Sequence, residues 1–110
     1  MSRRRVESRS DVFAAIADPT RRRILEALAS GEQPVGALAR PFAMSLPAVS
    51  QHLKALLKAG LVVPRREGRQ RFFRLDPRPL EEVADWVSHY ERFWQKKLRA
   101  LGKYLDKEKP

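Results

Sequence analysis

Apolar side chains recur along this chain with two different periods, and the change of period marks out its elements. Val12, Phe13 and Ile16 follow Ser10 at helical spacing, which predicts a short first helix. Asp18-Pro19 then restarts the chain: aspartate is a favoured N-cap, and proline fits the first helical position, where no N–H partner is lost. A second helix over about Pro19–Ala29 sets Ile24, Leu25 and Leu28 on one face, and Gly31 ends it. Gln33-Pro34 opens a shorter third helix, about Val35–Arg40, with Val35, Leu38 and Ala39 inward. Pro41 stops that helix, because its ring clashes with the preceding turn. Pro41-Phe42-Ala43-Met44 carry the chain round to Ser45, which caps a fourth helix over about Leu46–Ala59. Pro47 is tolerated in its first turn, and Gly60 closes it in a position that favours a left-handed residue.

After Gly60 the period falls to two. Leu61-Val62-Val63 reads as a strand, Glu67-Gly68-Arg69-Gln70 as a turn, and Arg71-Phe72-Phe73-Arg74-Leu75 as a returning strand, although the turn lacks an Asn-Gly pair. Alternation puts Arg71, Phe73 and Leu75 on one face and Phe72 and Arg74 on the other, so one aromatic must pack inward. Pro77 and Pro79 end the hairpin and open a long last helix, about 79–106, with Glu81 and Glu82 at its positive end. Leu80, Val83, Ala84, Val87, Trp94, Leu98, Leu101 and Leu105 form one helical stripe, and Trp86, Tyr90 and Phe93 add a second apolar face. The order of elements is mainly α with a small β-hairpin: about five helices plus a two- or three-stranded antiparallel wing. Two short helices joined by a tight turn, followed by a hairpin, make a winged helix-turn-helix candidate.

The last helix also predicts an assembly. From Leu80 to Leu105 it would run roughly 40 Å at 1.5 Å per residue. That exceeds the span of so small a domain, so part of its apolar face needs a cover from outside. A homodimer through the terminal helices is expected, with Val12, Phe13, Ile16, Trp86, Tyr90, Phe93 and Trp94 as dimerisation residues. The competing reading is an aromatic core within one chain, which would claim some of these side chains.

Composition narrows the class of partner. The chain has 110 residues, enough for one domain over 10–107 behind a basic, flexible segment at 1–9, and 43% of it is hydrophobic. Lysines and arginines outnumber carboxylates 23 to 13, a net charge of +10, which points to an anionic partner. The excess is local: between Pro64 and Arg78 lie six arginines (65, 66, 69, 71, 74, 78) against Glu67 and Asp76, and Arg3, Arg4, Arg5 and Arg9 sit at the start. With no cysteine in the sequence, disulfides, thiolate metal sites and a cysteine nucleophile are excluded. No secretory signal and no apolar run near ~20 residues is visible, so a soluble, cytoplasmic protein is expected.

The fourth helix carries the candidate chemistry. On a wheel of 100° per residue, Val49, Leu53, Leu56 and Leu57 form the buried stripe. Pro47, Gln51, Lys54 and Lys58 fall opposite, flanked by Ala48 and Ala55. Small residues let a helix backbone approach base edges, glutamine can pair bidentately with adenine, and lysine reaches guanine or phosphate. Ser45 and the free N–H groups of the first turn can meet a phosphate, and Ser50 can do so or simply be solvated. The bland alternative is an ordinary solvated surface helix; the neighbouring helix, the hairpin and the local charge argue against it. His52 lies about 60° off the buried stripe and reads as a packed histidine that holds the helix, not as a ligand. In the hairpin, Arg66, Arg69 and Arg71 cluster with Gln70 around Gly68, where a tip beside a recognition helix reaches minor groove or backbone. A basic edge strand that merely resists aggregation is the alternative there.

The segment from Phe42 to Val62, FAMSLPAVSQHLKALLKAGLV, resembles the recognition helix of ArsR-family winged-helix repressors. Ala17–Leu25 (ADPTRRRIL) resembles that family's second helix, Gly68-Arg-Gln-Arg71 its wing, and Leu75-Asp-Pro77 its strand exit, so the likeness spans about residues 10–105. It implies a dimer that binds a pseudo-palindromic double-stranded operator near its own promoter and leaves when an inducer binds. Many members sense metals through third-helix cysteines or last-helix His/Asp clusters. Here Gln33–Arg40 holds no thiol, and Asp85 and His89 alone fall short of about four ligands. No metal or cofactor is expected, and the last-helix pattern Trp86-Val-Ser-His-Tyr90 with Phe93, Trp94 and Leu98 resembles a metal-independent subgroup whose inducer is unknown. A protein–protein interaction module on the same fold is the competing function. An enzyme is not expected, since no phosphate loop, nucleophile–base constellation or metal cluster is visible.

Overall fold

The structure, a computed structural model, describes residues 12–107; the basic segment expected at 1–9 lies outside the described residues. In chain order the elements are α1 (residues 12–16), α2 (Pro19–Leu28), β1 (Gln33–Pro34), α3 (Val35–Ala39), α4 (Leu46–Lys58), β2 (Val62–Glu67), β3 (Gln70–Leu75) and α5 (Leu80–Lys107). The helix starts follow the capping rules. The Asp18 carboxylate accepts the Arg21 N–H at 3.0 Å with Pro19 at the first helical position, and Ser45 accepts the Ala48 N–H at 3.3 Å. Gly60, at φ +76°, ends α4 with a left-handed residue as expected.

Three strands form one antiparallel sheet in the order β1-β3-β2. Gln33 and Pro34, expected only to open α3, also pair with Phe73 and Phe72 before α3 begins. Proline survives there and at Pro64 because β1 and β2 are both edge strands, where a missing N–H need not break the ladder. The β2–β3 hairpin runs in register from Val62↔Leu75 to Glu67↔Gln70, leaving a two-residue turn. Gly68 sits there at φ +62° while Arg69 keeps a negative φ, the arrangement of a primed turn with glycine first. Such a turn matches strand twist without Asn-Gly.

The core is a single apolar cluster in which α2 (Ile24, Leu25, Leu28), α3 (Leu38, Ala39), α4 (Val49, Leu53, Leu56) and the sheet (Val62, Phe73) meet. Phe73 is 1% exposed and is the aromatic that packs inward. Several expectations are corrected by the packing. Pro41 stops the α-helix as expected but not the chain's winding: α3 ends at Ala39 and tightens into a 3-10 turn, Arg40–Phe42, in which proline takes an early position that needs no N–H. The reversal then falls to Ala43, a left-handed non-glycine residue at φ 48°. Leu57, expected in the buried stripe, is 41% exposed, because the core that α2, α3 and the sheet build lies on the Val49–Leu53–Leu56 side of α4. Val12, expected at a dimer surface, is 3% exposed and belongs to this chain's own core.

Helix α5 departs most from the domain. Among the described residues of α5 only Leu80 and Val83 pack against the core, and beyond them its side chains are exposed. Trp86, Tyr90, Phe93 and Trp94 therefore form no intramolecular core. Trp86 meets Phe13 edge-on at 5.9 Å and Tyr90 at 5.4 Å, while Trp94 is 59% exposed. The radius of gyration, 18.7 Å, exceeds the ~13 Å of a compact chain this long, as a projecting helix requires.

Candidate nucleic-acid interface

Helix α4 and the wing present their polar groups around one groove. Ser50, Gln51, Leu53, Lys54 and Leu57 of α4 and Arg71 and Phe73 of β3 line a space of about 280 Å³. The inward face of α4 fixes which residues remain outside. With Val49, Leu53 and Leu56 buried, Pro47, Gln51, Lys54 and Lys58 are exposed and Ala48 and Ser50 half-buried. Leu57 supplies an apolar wall that periodicity alone assigns to the core.

Strand alternation sorts the arginines of the wing by face. Arg66 and Arg71 are directly opposite in the β2–β3 register, on the face that carries Phe73. Like charges placed so are destabilising by themselves. Neither has a carboxylate partner among the described residues, and the Arg71 guanidinium rests 5.2 Å from the centre of the Phe73 ring. Arg69 and Gln70 complete the exposed tip, where the 3-10 turn after α3 adds Arg40.

The opposite face is neutralised. Arg65 forks onto Glu32 (Nε to Oε2 3.0 Å, NH2 to Oε1 2.7 Å), reaches Glu67 at 2.9 Å and lies 4.6 Å over Phe72. The Arg65 bonds hold the Glu32 carboxyl below its ordinary range. Arg78 clasps Asp76 (NH2 to Oδ2 2.7 Å), and those hydrogen bonds lower the Asp76 carboxyl to about 2. Two of the six arginines counted as basic surface are thus tied up in ion pairs. The sequence pattern does not show the first of them, since the decisive carboxylate, Glu32, lies 33 residues from Arg65.

The start of α4 is less open to phosphate than expected. Ser45 already accepts from Ala48 N–H, Val49 N–H bonds the Ser45 carbonyl at 3.1 Å, and Pro47 has no N–H. At most the Leu46 N–H is left. His52 is half-buried, as a packed histidine should be; its Nδ1 accepts from Arg21 Nε at 3.3 Å and lies 3.8 Å from Asp18 Oδ2. The Asp18 carboxyl is held below its ordinary range chiefly by the Arg21 backbone N–H, with the Arg21 charge adding to it. The run Arg21-Arg22-Arg23 also has structural work that spacing does not reveal. Arg22 bonds the Ile16 carbonyl at 2.7 Å, and Arg23 lies 5.0 Å over the Phe42 ring.

Among the described residues no group of three or more His, Cys, Asp or Glu could hold a metal ion, and Asp85 and His89 gain no third ligand. No helix of the described residues is long and apolar enough to cross a membrane.

Comparison with known proteins agrees with this geometry. A helix-turn-helix domain family matches residues 16–65. An HTH-type transcriptional regulator of Mycobacterium tuberculosis is 44% identical over 96 residues, covering 87% of each chain. The transcriptional repressor SdpR of Bacillus subtilis is 35% identical over 81 residues, 74% of this chain and 90% of SdpR. Among solved structures, an ArsR-family transcriptional regulator superposes with a TM-score of 0.73 at 34% identity, covering 81% of this chain and 92% of that one. A homodimeric winged helix-turn-helix DNA-binding domain from Mycobacterium bovis superposes with a TM-score of 0.64 at 32% identity, covering 77% and 82%.

Proposed function

This chain belongs to the ArsR family of winged helix-turn-helix transcriptional regulators, DNA-binding proteins and not enzymes, and from that premise we propose that it is a cytoplasmic repressor binding a pseudo-palindromic operator as a homodimer. The observation that carries the reading is the α4–wing groove: Gln51, Lys54 and Arg71 converge on it, and the opposed Arg66 and Arg71 have no carboxylate partner among the described residues. A like-charge pair of this kind costs stability in the free protein and is compensated when a polyanion lies across it.

In this reading α4 enters the major groove and the wing lies on the adjacent backbone or minor groove. Pro47 and Ala48 allow close approach, Gln51 and Lys54 read base edges, and Ser45 and Ser50 face phosphate. Arg66, Arg69, Gln70 and Arg71 supply affinity and shape readout. A two-fold dimer sets two such readers about 34 Å apart, one turn of DNA. The α5 face from Trp86 to Trp94, with Phe13 and Ile16, is the seam, a reading supported by the homodimeric state of the Mycobacterium bovis domain.

Selection from a random DNA pool, followed by mobility-shift titration on the selected sequence, tests the proposal. Gln51→Ala is expected to cost about 1–3 kcal/mol on the selected site and to relax preference at particular base pairs. Arg69→Ala should weaken selected and random DNA alike and lower the slope of log affinity against log salt by about one. Parental binding by both variants would sink the docking arrangement. Binding that ignores ionic strength would favour a protein-interaction module instead.

A further inference from the structure

One guanidinium joins three helices of this domain. Arg21 of α2 gives its backbone N–H to Asp18 Oδ2, and its side chain turns back toward α1 and α4. NH1 donates to the carbonyls of Ala14 at 3.2 Å and Ala15 at 3.4 Å, the last turn of α1. Nε donates to His52 Nδ1 at 3.3 Å, 31 residues away on the helix that carries Gln51 and Lys54. The bond requires Nδ1 to be the unprotonated nitrogen, so His52 is present as its Nε2–H tautomer. Helix α1 in turn carries Phe13, edge-on to Trp86 of α5.

Beside this bond and the 3.8 Å approach of Asp18 Oδ2 to the same Nδ1, the side-chain hold on α4 among the described residues is largely apolar. Val49, Leu53 and Leu56 bury their side chains in the common core, and apolar contact resists separation better than it resists rotation about the helix axis. A side-chain tip lies roughly 5–6 Å from that axis, so a turn of about 10° displaces it by about 1 Å. Polar contacts to base edges need placement within about 0.5 Å. The Arg21–His52 hydrogen bond is a directional restraint on that rotation, and its donor is itself anchored on α1.

The geometry points to Arg21 as a positioning residue for DNA reading: through His52 it fixes the rotation of α4, and through Ala14 and Ala15 it refers that rotation to α1. The inference rests on the reading of α4 as the base-contacting helix. Arg21 touches no base in it; the role is exercised through His52.

The test compares binding to a selected operator with binding to random duplex of the same length. Arg21→Lys keeps the charge but cannot hold all three acceptors with one planar group. It should lower the operator-to-random ratio on the order of tenfold, the scale of one lost charged hydrogen bond, while random-duplex affinity stays parental. His52→Leu should reproduce that loss, and His52→Gln, which offers an acceptor oxygen, should restore most of the ratio. The double variant Arg21→Lys/His52→Leu should be no worse than either single. In nitrogen NMR, the neutral His52 ring should favour the Nε2–H tautomer in the parent, and that preference should relax in Arg21→Lys. Parental ratios in both single variants would overturn the inference, as would a lowered melting temperature with the ratio unchanged, which marks a merely structural bond. A parent that does not distinguish selected from random DNA overturns the base-reading assignment of α4 first, and this inference with it.

Discussion

A Phe93→Glu variant is expected to sediment as a monomer at micromolar concentration and to lose about a hundred- to ten-thousandfold in operator affinity. The ring is exposed within the chain, with Trp94 edge-on at 6.3 Å and Lys97 Nζ 4.8 Å from its centroid. At 100° per residue, Leu80, Val83, Trp86, Val87, Tyr90, Phe93, Trp94, Leu98, Leu101, Tyr104 and Leu105 fall within about 140° of arc, a continuous apolar face on a helix roughly 42 Å long. A carboxylate midway along such a seam would lose water without gaining a partner. The affinity loss is larger than any single contact explains, because it removes the linkage of two half-sites and the effective concentration that goes with it. The domain itself should survive, since its core is anchored to α5 only by Leu80 and Val83. Analytical ultracentrifugation beside operator titration checks both parts. Arg92→Glu, on the opposite side of α5, is expected to leave the dimer intact. A Phe93→Glu protein that remains dimeric would move the seam elsewhere.

Phe73→Ala is expected to cost about 3–5 kcal/mol of folding stability, read from urea or thermal unfolding at fixed protein concentration. The ring is almost fully buried, pairs across the sheet with Gln33 on one side and Pro64 on the other, and borders the α4 groove beside Leu53. Truncation removes its burial and leaves a cavity at the join of wing and recognition helix. Against a typical domain stability of about 5–15 kcal/mol, that loss brings the chain near its folding threshold. Arg71 loses the ring beneath its guanidinium at the same time, so DNA affinity should fall further than the unfolded fraction accounts for. Phe73→Leu separates the two effects: it should recover most of the stability and less of the affinity. A small loss of stability in Phe73→Ala would show that the join can collapse around the missing ring.

Much of the site is legible in the sequence because its determinants are local. Pro47, Gln51, Lys54 and Lys58 stand outside α4 as the helical wheel requires, and the caps at Asp18 and Ser45 are set by residues three apart. The wing's alternation, with Phe73 in and Phe72 half-out, follows from a period of two. Leu57 escapes the same reasoning, because a wheel gives directions and not the width of the neighbour that covers them. Pro41 escapes it because a clash that stops an α-helix is compatible with a 3-10 turn.

Residue order alone determined most of the segments, their starts and the faces they bury, though not the strand at Gln33–Pro34 or the exposure of Leu57, since capping, turn chemistry and hydrophobic period act within a few residues. What becomes of the charge and of the leftover apolar surface is settled only when the elements pack. Glu32 neutralises Arg65 across 33 residues, Arg66 is left facing Arg71 across the hairpin, and Arg21 reaches His52 across 31. Val12 enters the core while Trp86 to Leu105 stay outside it, because α5 outruns the domain it grows from. Such partnerships depend on where distant segments are brought together, and no local period encodes that.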